Sequence, residues 1–167
     1  MAIKHYTSFS LVFLATTTVL LVSHTHGHGL RTGKHDICQK ADFKPLCRTV
    51  VKGLTDPRVA LRSAIHQLII QSRRAIRLAD MHGKSDQYMD VCKESFDDAL
   101  TSLRTSLKNL KNHDRASLNI NLSAALSDYV TCDDAFSESG MGNPLGKIDA
   151  LMSRMASNCL YLSSLVH

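Results

Sequence analysis

Aromatic residues are scarce in this sequence: they make up 5% of its 167 residues, and tryptophan is absent. The few that occur do not alternate with lysine or arginine, so no platform for stacking nucleic-acid bases is visible. The net charge of +5 is only modestly basic. A charge of this size favours contact with an acidic surface, but it does not indicate a nucleic-acid-binding protein.

Sequence motifs for catalysis are also missing. There is no glycine-rich phosphate loop, no Gly-x-Ser-x-Gly and no His-Glu-x-x-His. Three alternating histidines (His24, His26 and His28) have no cysteine or carboxylate at ligand spacing nearby, so they do not define a metal site. We therefore predict a protein that is not an enzyme and that uses no metal or cofactor.

The N-terminal apolar stretch is shorter than a membrane span. It covers about 14 residues, 9–22, whereas a spanning helix needs about 20. Lys4 and His5 precede it and small residues follow it, which is typical of a secretory signal peptide. We predict that residues 1–27 are a cleaved signal peptide and that residues 28–167 form one secreted, extracellular domain without a membrane segment. A membrane anchor is the less favoured alternative.

The rest of the chain has apolar residues at every third or fourth position, which predicts helices. Two short helical turns, at 37–41 and 46–51, form a hairpin through Pro45. Four longer helices follow: from the Asp56-Pro57 cap to His82, over 89–110, over 118–136, and from the Asn143-Pro144 cap to Val166. Their links are short, so the predicted fold is all-α, an up-down-up-down four-helix bundle behind an N-terminal helical hairpin.

Five cysteines in an exported chain predict disulfides. The short hairpin brings Cys38 and Cys47 together. Cys92 and Cys132 are equidistant from residue 112, in the turn between the second and third long helices, so an antiparallel pairing places them side by side. Cys159 is left as a buried, free thiol on the fourth helix. A reactive or dimer-forming thiol is the less favoured alternative.

Three segments together resemble the plant pectin methylesterase and invertase inhibitor family: Ile37–Cys47, Val91–Ala99 with its Cys-x-Glu-x-aromatic-x-x-Ala pattern, and Leu118–Phe136. The resemblance covers essentially the whole chain after the signal peptide. It implies a helical bundle with the same two disulfides and a protein that inhibits enzymes rather than being one.

The resemblance also implies partners. An inhibitor of pectin methylesterase packs across the pectin-binding cleft in a one-to-one complex, whereas an inhibitor of acid invertase places a Pro-Lys-Phe motif at the sucrose site. The equivalent turn here reads Asp114-Arg115-Ala116-Ser117, without that motif. We therefore favour pectin methylesterase as the partner, acting in the cell wall (apoplast), with invertase inhibition as the alternative. A helical small-ligand carrier and an enzyme pro-domain are further alternatives, and the absence of a following catalytic domain favours a free inhibitor.

Candidate contacts with the partner lie on the second and third long helices. Acidic residues gather there toward the disulfide end, and the resemblance adds Thr131 beside the bridge: the set is Glu94, Asp97, Asp98, Asp128, Thr131, Asp133 and Asp134. An acidic patch would speed association with a basic enzyme surface. An ordinary solvated helix face is the competing interpretation.

Two further surface features are candidates. Basic side chains on the first long helix and on the hairpin could make weak contact with demethylated pectin, a polyanion, although a solvated face is favoured: Arg73, Arg74, Arg77, Lys44, Arg48 and Lys52. Asn121-Leu122-Ser123 is a glycosylation sequon inside a predicted helix, which makes it a poorer acceptor than one in a loop.

Overall fold

The computed structural model describes residues 36–82 and 86–167, and within those ranges it contains helices and no strand. The helices are α1 (Lys44–Val51), α2 (Pro57–His82), α3 (Gln87–Lys111), α4 (Arg115–Glu138) and α5 (Gly146–Ser164). The predicted signal peptide and the three alternating histidines lie outside the described residues. No helix in the described part of the chain is long and apolar enough to cross a membrane.

Three of the helices begin at an aspartate that caps them. Asp56 accepts a hydrogen bond from Val59 N at 2.8 Å, Asp86 from Tyr88 N at 2.9 Å, and Asp114 from Ser117 N at 3.0 Å. Each bond satisfies a backbone N–H that has no partner within the helix. The predicted start of α2 at Asp56-Pro57 is therefore confirmed.

The predicted start of α5 at Asn143-Pro144 is wrong, because the helix begins at Gly146. Asn143 caps a turn instead: its Oδ1 accepts from Leu145 N at 2.8 Å, and its Nδ2 donates to Asp133 Oδ1 at 3.1 Å. An asparagine side chain that bonds the backbone two residues on stabilises a turn rather than a helix. Asn143 thereby ties the α4–α5 link to the end of α4.

The N-terminal hairpin has a helix on only one side. Its first arm forms four-residue turns, in which Gln39 N donates to Asp36 O and Ala41 N donates to Cys38 O, both at 3.1 Å. So short a segment cannot propagate an α-helix. The Cys38–Cys47 disulfide joins these turns to α1, and Tyr161 of α5 holds them by donating to Ile37 O at 2.8 Å.

The four long helices form the predicted up-down-up-down bundle. α2 packs against α3 and α5, and α4 packs against the same two helices; within the described residues, the diagonal pairs α2/α4 and α3/α5 have no close backbone approach. The apolar stripes supply the core, whose largest fully buried side chains include Leu61, Ile65, Leu68, Met89, Phe96, Leu103, Leu118, Leu122, Tyr129, Met152 and Leu162. Helix α1 packs on α2 and α5.

The second disulfide joins Cys92 and Cys132, with a Cα–Cα distance of 4.4 Å, as predicted from their symmetric spacing about the α3–α4 turn. Both cysteines are fully buried, so the bond fixes the two helices at the end of the hairpin away from the turn. Cys159 is the free cysteine among the described residues. Burial raises the pKa of its thiol to about 12, so it is an unreactive core residue.

Candidate partner-binding surface

The predicted acidic residues do not form one patch, because the helices distribute them over three places. Glu94 and Asp98 lie one turn apart on α3, and Asp98 faces Asp128 across the α3–α4 seam. Partial burial, and then the charge of Asp98, raise the pKa of Asp128. We call these three side chains, Glu94, Asp98 and Asp128, the seam acids.

Asp97 lies on a different face of α3. Lys93, one turn before it, forms an ion pair with Asp80 of α2 at 2.7 Å. The hydrogen bond and charge of Asp80 raise the pKa of Lys93, and the charges of Asp97 and Asp90 add to this effect. Asp97 therefore belongs to a mixed-charge stripe that runs along the α2 side of the bundle.

Asp133 and Asp134 are exposed on α4, and their charges act on α5 rather than on α3. The group that they affect is Asp149, which is only 2% exposed and whose Oδ1 has no hydrogen-bond partner. Burial, together with the charges of Asp133 and Asp134, raises the pKa of Asp149 to about 7. This residue was missed in the sequence, although it continues the inward stripe of α5 between Leu145 and Met152.

The outward face of α4 carries no charge over half its length. The twelve residues from Ala116 to Ser127 include no Asp, Glu, Lys or Arg. Ile120, on the outside of this stretch, is 68% exposed, and Val130 farther along is 45% exposed. Exposed surface depleted of charge and carrying apolar side chains is typical of the centre of a protein–protein interface. An uncharged run of twelve residues is the sequence signal of this face.

Thr131 is exposed beside the Cys92–Cys132 bridge, between the seam acids and the charge-free face. Its hydroxyl donates to Ser127 O at 3.1 Å, one turn back in α4. This bond fixes the side chain and leaves the oxygen lone pairs and the methyl group on the surface. That Thr131 contacts a partner stays a prediction from the family resemblance.

Asn121 is half-buried on the flank of the same face. Its Nδ2, the atom to which a glycan would be attached, donates to Ser117 O at 2.8 Å inside α4. A glycan at this position would lie one residue from Ile120, so it would cover the charge-free face.

The basic residues considered for pectin contact are scattered. Arg73, Arg74 and Arg77 are exposed on the second half of α2, and Lys44 and Lys52 are exposed at the two ends of α1. Arg48 forms an ion pair with Asp36 at 2.7 Å, so its charge is partly neutralised. In the described part of the chain, no group of three or more His, Cys, Asp or Glu residues is arranged to hold a metal ion.

These features define a class of protein: a small, disulfide-bonded helical bundle that presents a rigid helical hairpin at its surface. The family model for plant invertase/pectin methylesterase inhibitors matches residues 34–162. The chain therefore belongs to the plant invertase/pectin methylesterase inhibitor family.

Individual relatives match over shorter stretches. A Platanus orientalis protein named an invertase inhibitor is 39% identical over 62 residues, 36% of this chain and 36% of its own length. Pectinesterase inhibitor 12 of Arabidopsis thaliana is 29% identical over 104 residues, 54% of this chain and 60% of its own length. The chain thus spans about a third to three fifths of the curated relatives that it matches.

The fold also has a match among solved structures. The crystal structure of a mutant form of a pectin methylesterase inhibitor from Arabidopsis superimposes with a TM-score of 0.70, covering 80% of this chain and 97% of that chain at 14% identity. The likeness establishes that the two proteins share the helical bundle fold.

Proposed function

We propose that this protein inhibits a pectin methylesterase of the plant cell wall by binding it one-to-one and covering its substrate cleft. The observation that carries the proposal is the charge-free outer face of α4 on a disulfide-fixed hairpin. Ile120 and Val130 supply exposed apolar area at 68% and 45%, and the seam acids lie at the edge of that area. This arrangement, an apolar centre with a charged rim, suits a protein partner better than a small molecule.

A rigid hairpin suits inhibition because binding then orders few side chains and no backbone. The Cys92–Cys132 bond and the buried stripes hold α3 and α4 before any partner arrives. Affinity lost to ordering a flexible segment is therefore small. We infer that residues 1–27 export the protein and that the helical domain acts extracellularly.

Inhibition of acid invertase is the second candidate function. The invertase-inhibitor relative has the higher identity, 39%, although over the shorter stretch. The exposed α3–α4 turn argues against invertase inhibition, because it reads Asp114-Arg115-Ala116-Ser117 and lacks the Pro-Lys-Phe motif.

The carrier alternative is less compatible with the interior. The small apolar recess lined by residues of α1, α2 and α5 has a volume of about 10 Å³, which is room for about one water molecule. A carrier that holds a small ligand inside the bundle needs a far larger interior cavity, of hundreds of Å³.

The test is a parallel titration of a plant pectin methylesterase and an acid invertase with the disulfide-bonded protein. Loss of esterase activity at one-to-one stoichiometry, with invertase unaffected, is the expected result. Inhibition of invertase alone would contradict the proposal and support the second candidate function, inhibition of acid invertase. An Ile120→Lys variant, which places a charge on the α4 face without touching the core, should weaken inhibition about tenfold or more. Ile70→Lys, at a 51% exposed position of α2, is the matched control and should not.

Glycosylation of Asn121 is incompatible with this docking mode. The proposal therefore expects a free Asn121 in the inhibitory form. Protein expressed in plant cells should show no mass loss on treatment with a glycosidase, and an Asn121→Gln variant should inhibit as the unmodified protein does. If the protein glycosylated at Asn121 inhibits fully, the docking surface cannot be the outer face of α4.

A further inference from the structure

A groove between the first half of α2 and the last turns of α3 is a second candidate binding site, on the α2–α3 side of the bundle rather than on the outer face of α4. Its volume is about 430 Å³, within the range of small-molecule sites. Three permanent cations line it, Arg58, Arg62 and Lys111, together with the imidazoles of His66 and His113. Its lining contains no aspartate or glutamate.

The cations of the groove are not neutralised from within the described part of the chain. The ion pairs found there join Arg48 to Asp36 and Lys93 to Asp80, and none involves a groove residue. Unpaired cations around a concave surface produce a positive potential that concentrates anions. The groove therefore selects for negative charge.

The groove is partly preorganised. Arg58 donates to Leu110 O at 2.8 Å and to His113 Nδ1 at 2.9 Å, so its guanidinium is held from two sides. His113 adopts a left-handed backbone conformation with φ 61°, which is unfavourable for a residue other than glycine or asparagine. That conformation ends α3 and sets the imidazole against Arg58.

The floor of the groove indicates an organic anion rather than a bare inorganic one. Leu107, Leu110 and Val59 supply apolar surface between the cations. The backbone N–H of Val59, at the start of α2, already donates to Asp56, so it does not offer the amide that a phosphate would use. Recognition must come from side chains. The planar fork of Arg62 matches a carboxylate, and Arg58, one helical turn away with both Nη atoms already donating to Leu110 and His113, adds its positive charge and its remaining N–H groups.

We propose that this groove binds a short oligosaccharide of uronic acids, with carboxylates on Arg58, Arg62 and Lys111 and the C–H faces of the sugar rings on Leu107, Leu110 and Val59. A ring-shaped molecule with one carboxylate per ring fills both requirements of the groove, spaced negative charge and apolar contact. The site is separate from the α4 face, and its occupancy does not depend on whether the protein inhibits an enzyme.

The test measures binding of trigalacturonate by calorimetry to the disulfide-bonded protein and to two variants of equal charge. Arg62→Gln with Lys111→Gln removes two groove cations and should weaken binding about tenfold or more. Lys40→Gln with Lys147→Gln removes two exposed cations, one on the first arm of the hairpin and one at the start of α5, and should leave the affinity within about twofold, since unpaired surface charges act only through screened, long-range fields. Equal weakening in both variants would show that binding depends only on the net charge of the protein, and this result would overturn the proposed site.

Two further ligands test separately whether the groove recognises the carboxylates and the sugar rings. The methyl ester of trigalacturonate keeps the rings and removes the charges, and it should bind poorly. Inorganic phosphate keeps charge and lacks rings, and binding as tight as that of trigalacturonate would overturn an organic ligand. As a readout that needs no variant, the ring signals of His66 and His113 should shift in NMR spectra when trigalacturonate is added, and unchanged signals would also overturn the proposal.

Discussion

The hydroxyl of Tyr129 lies 2.7 Å from the Oγ of Ser72 in the centre of the bundle, joining α4 to α2 across the diagonal. Ser72 Oγ also donates to Leu68 O at 3.0 Å, so its one proton is used and Tyr129 is the donor to Ser72. Both side chains are fully buried, and burial raises the pKa of Tyr129 far above its ordinary value. The phenol is therefore held neutral as a donor to one partner.

Removing either end of this bond has unequal consequences. Tyr129→Phe leaves Ser72 bonded to Leu68, so it should lower the free energy of unfolding by only about 1 kcal/mol. Ser72→Ala leaves the tyrosine hydroxyl buried without a partner and should cost about 2–3 kcal/mol. Urea unfolding of both variants and of the double variant measures this. A double variant less stable than Ser72→Ala would contradict the assignment of Tyr129 as donor.

Asp149 makes stability depend on pH. Its pKa in the folded protein is about 7, well above that of an unfolded aspartate, so the folded state holds the proton more tightly. The contribution of Asp149 to stability is therefore greatest in acid and is lost as the pH rises from about 4 through about 7. At pH 8, Asp149→Asn should be more stable than the unmodified protein by about 1–3 kcal/mol, and at pH 4 the two should be nearly equal.

Urea unfolding at a series of pH values measures this slope. Asp134→Asn removes one of the charges that act on Asp149, so it should reduce the slope partly. Asp90→Asn, an exposed acid on α3, is the control and should leave the slope unchanged. A slope that persists in Asp149→Asn would assign the pH dependence to another group.

The two disulfides should differ in their contribution to stability. Cys92–Cys132 closes a sequence separation of 40 and Cys38–Cys47 one of 9. The chain-entropy model assigns about 4 kcal/mol to the first and about 3 kcal/mol to the second. Replacing each pair by alanine should lower the free energy of unfolding in that order. The reverse order would indicate that the N-terminal turns depend on their bridge for native contacts as well.

The seam acids should speed association with a basic enzyme. Changing Asp98 and Asp128 to lysine reverses the seam charge and should slow association about tenfold at low salt. Asp90 and Asp97 changed to lysine give the same net charge on the α2 side and should have a much smaller effect. Stopped-flow binding at two salt concentrations measures both variants. If both variants associate equally slowly, the total charge of the protein, and not the position of the seam acids, determines the association rate.

Periodicity and spacing predicted much of this molecule from its sequence. The inward stripes and the symmetry of Cys92 and Cys132 about residue 112 depend only on helix geometry and short turns, and both proved right. The prediction of where α5 begins was wrong because Asn143 and Pro144 suit a turn as well as a helix start. The contact between Asn143 and Asp133 favours the turn.

The candidate site was harder to predict than the fold. Sequence spacing set Asp97, rather than Asp98, opposite residue 127, but in the structure it is the charge of Asp98 that acts on Asp128. Spacing could not separate Asp97 from these two residues, because the face that a residue takes on a long helix depends on small rotations of neighbouring helices. The burial of Asp149 went unseen because an acidic residue on an inward stripe is ordinarily assigned to solvent.

The Cys92–Cys132 bond also determines what happens when the chain is cut. The α3–α4 turn is exposed from Lys111 to Ala116 and offers two basic cleavage sites, Lys111 and Arg115. A single endoprotease cut there separates the peptide chain into two pieces, yet the bridge at the far end keeps them one molecule. The bridge keeps the nicked protein covalently continuous and the buried stripes keep its packing, so a single cut in this turn releases no fragment.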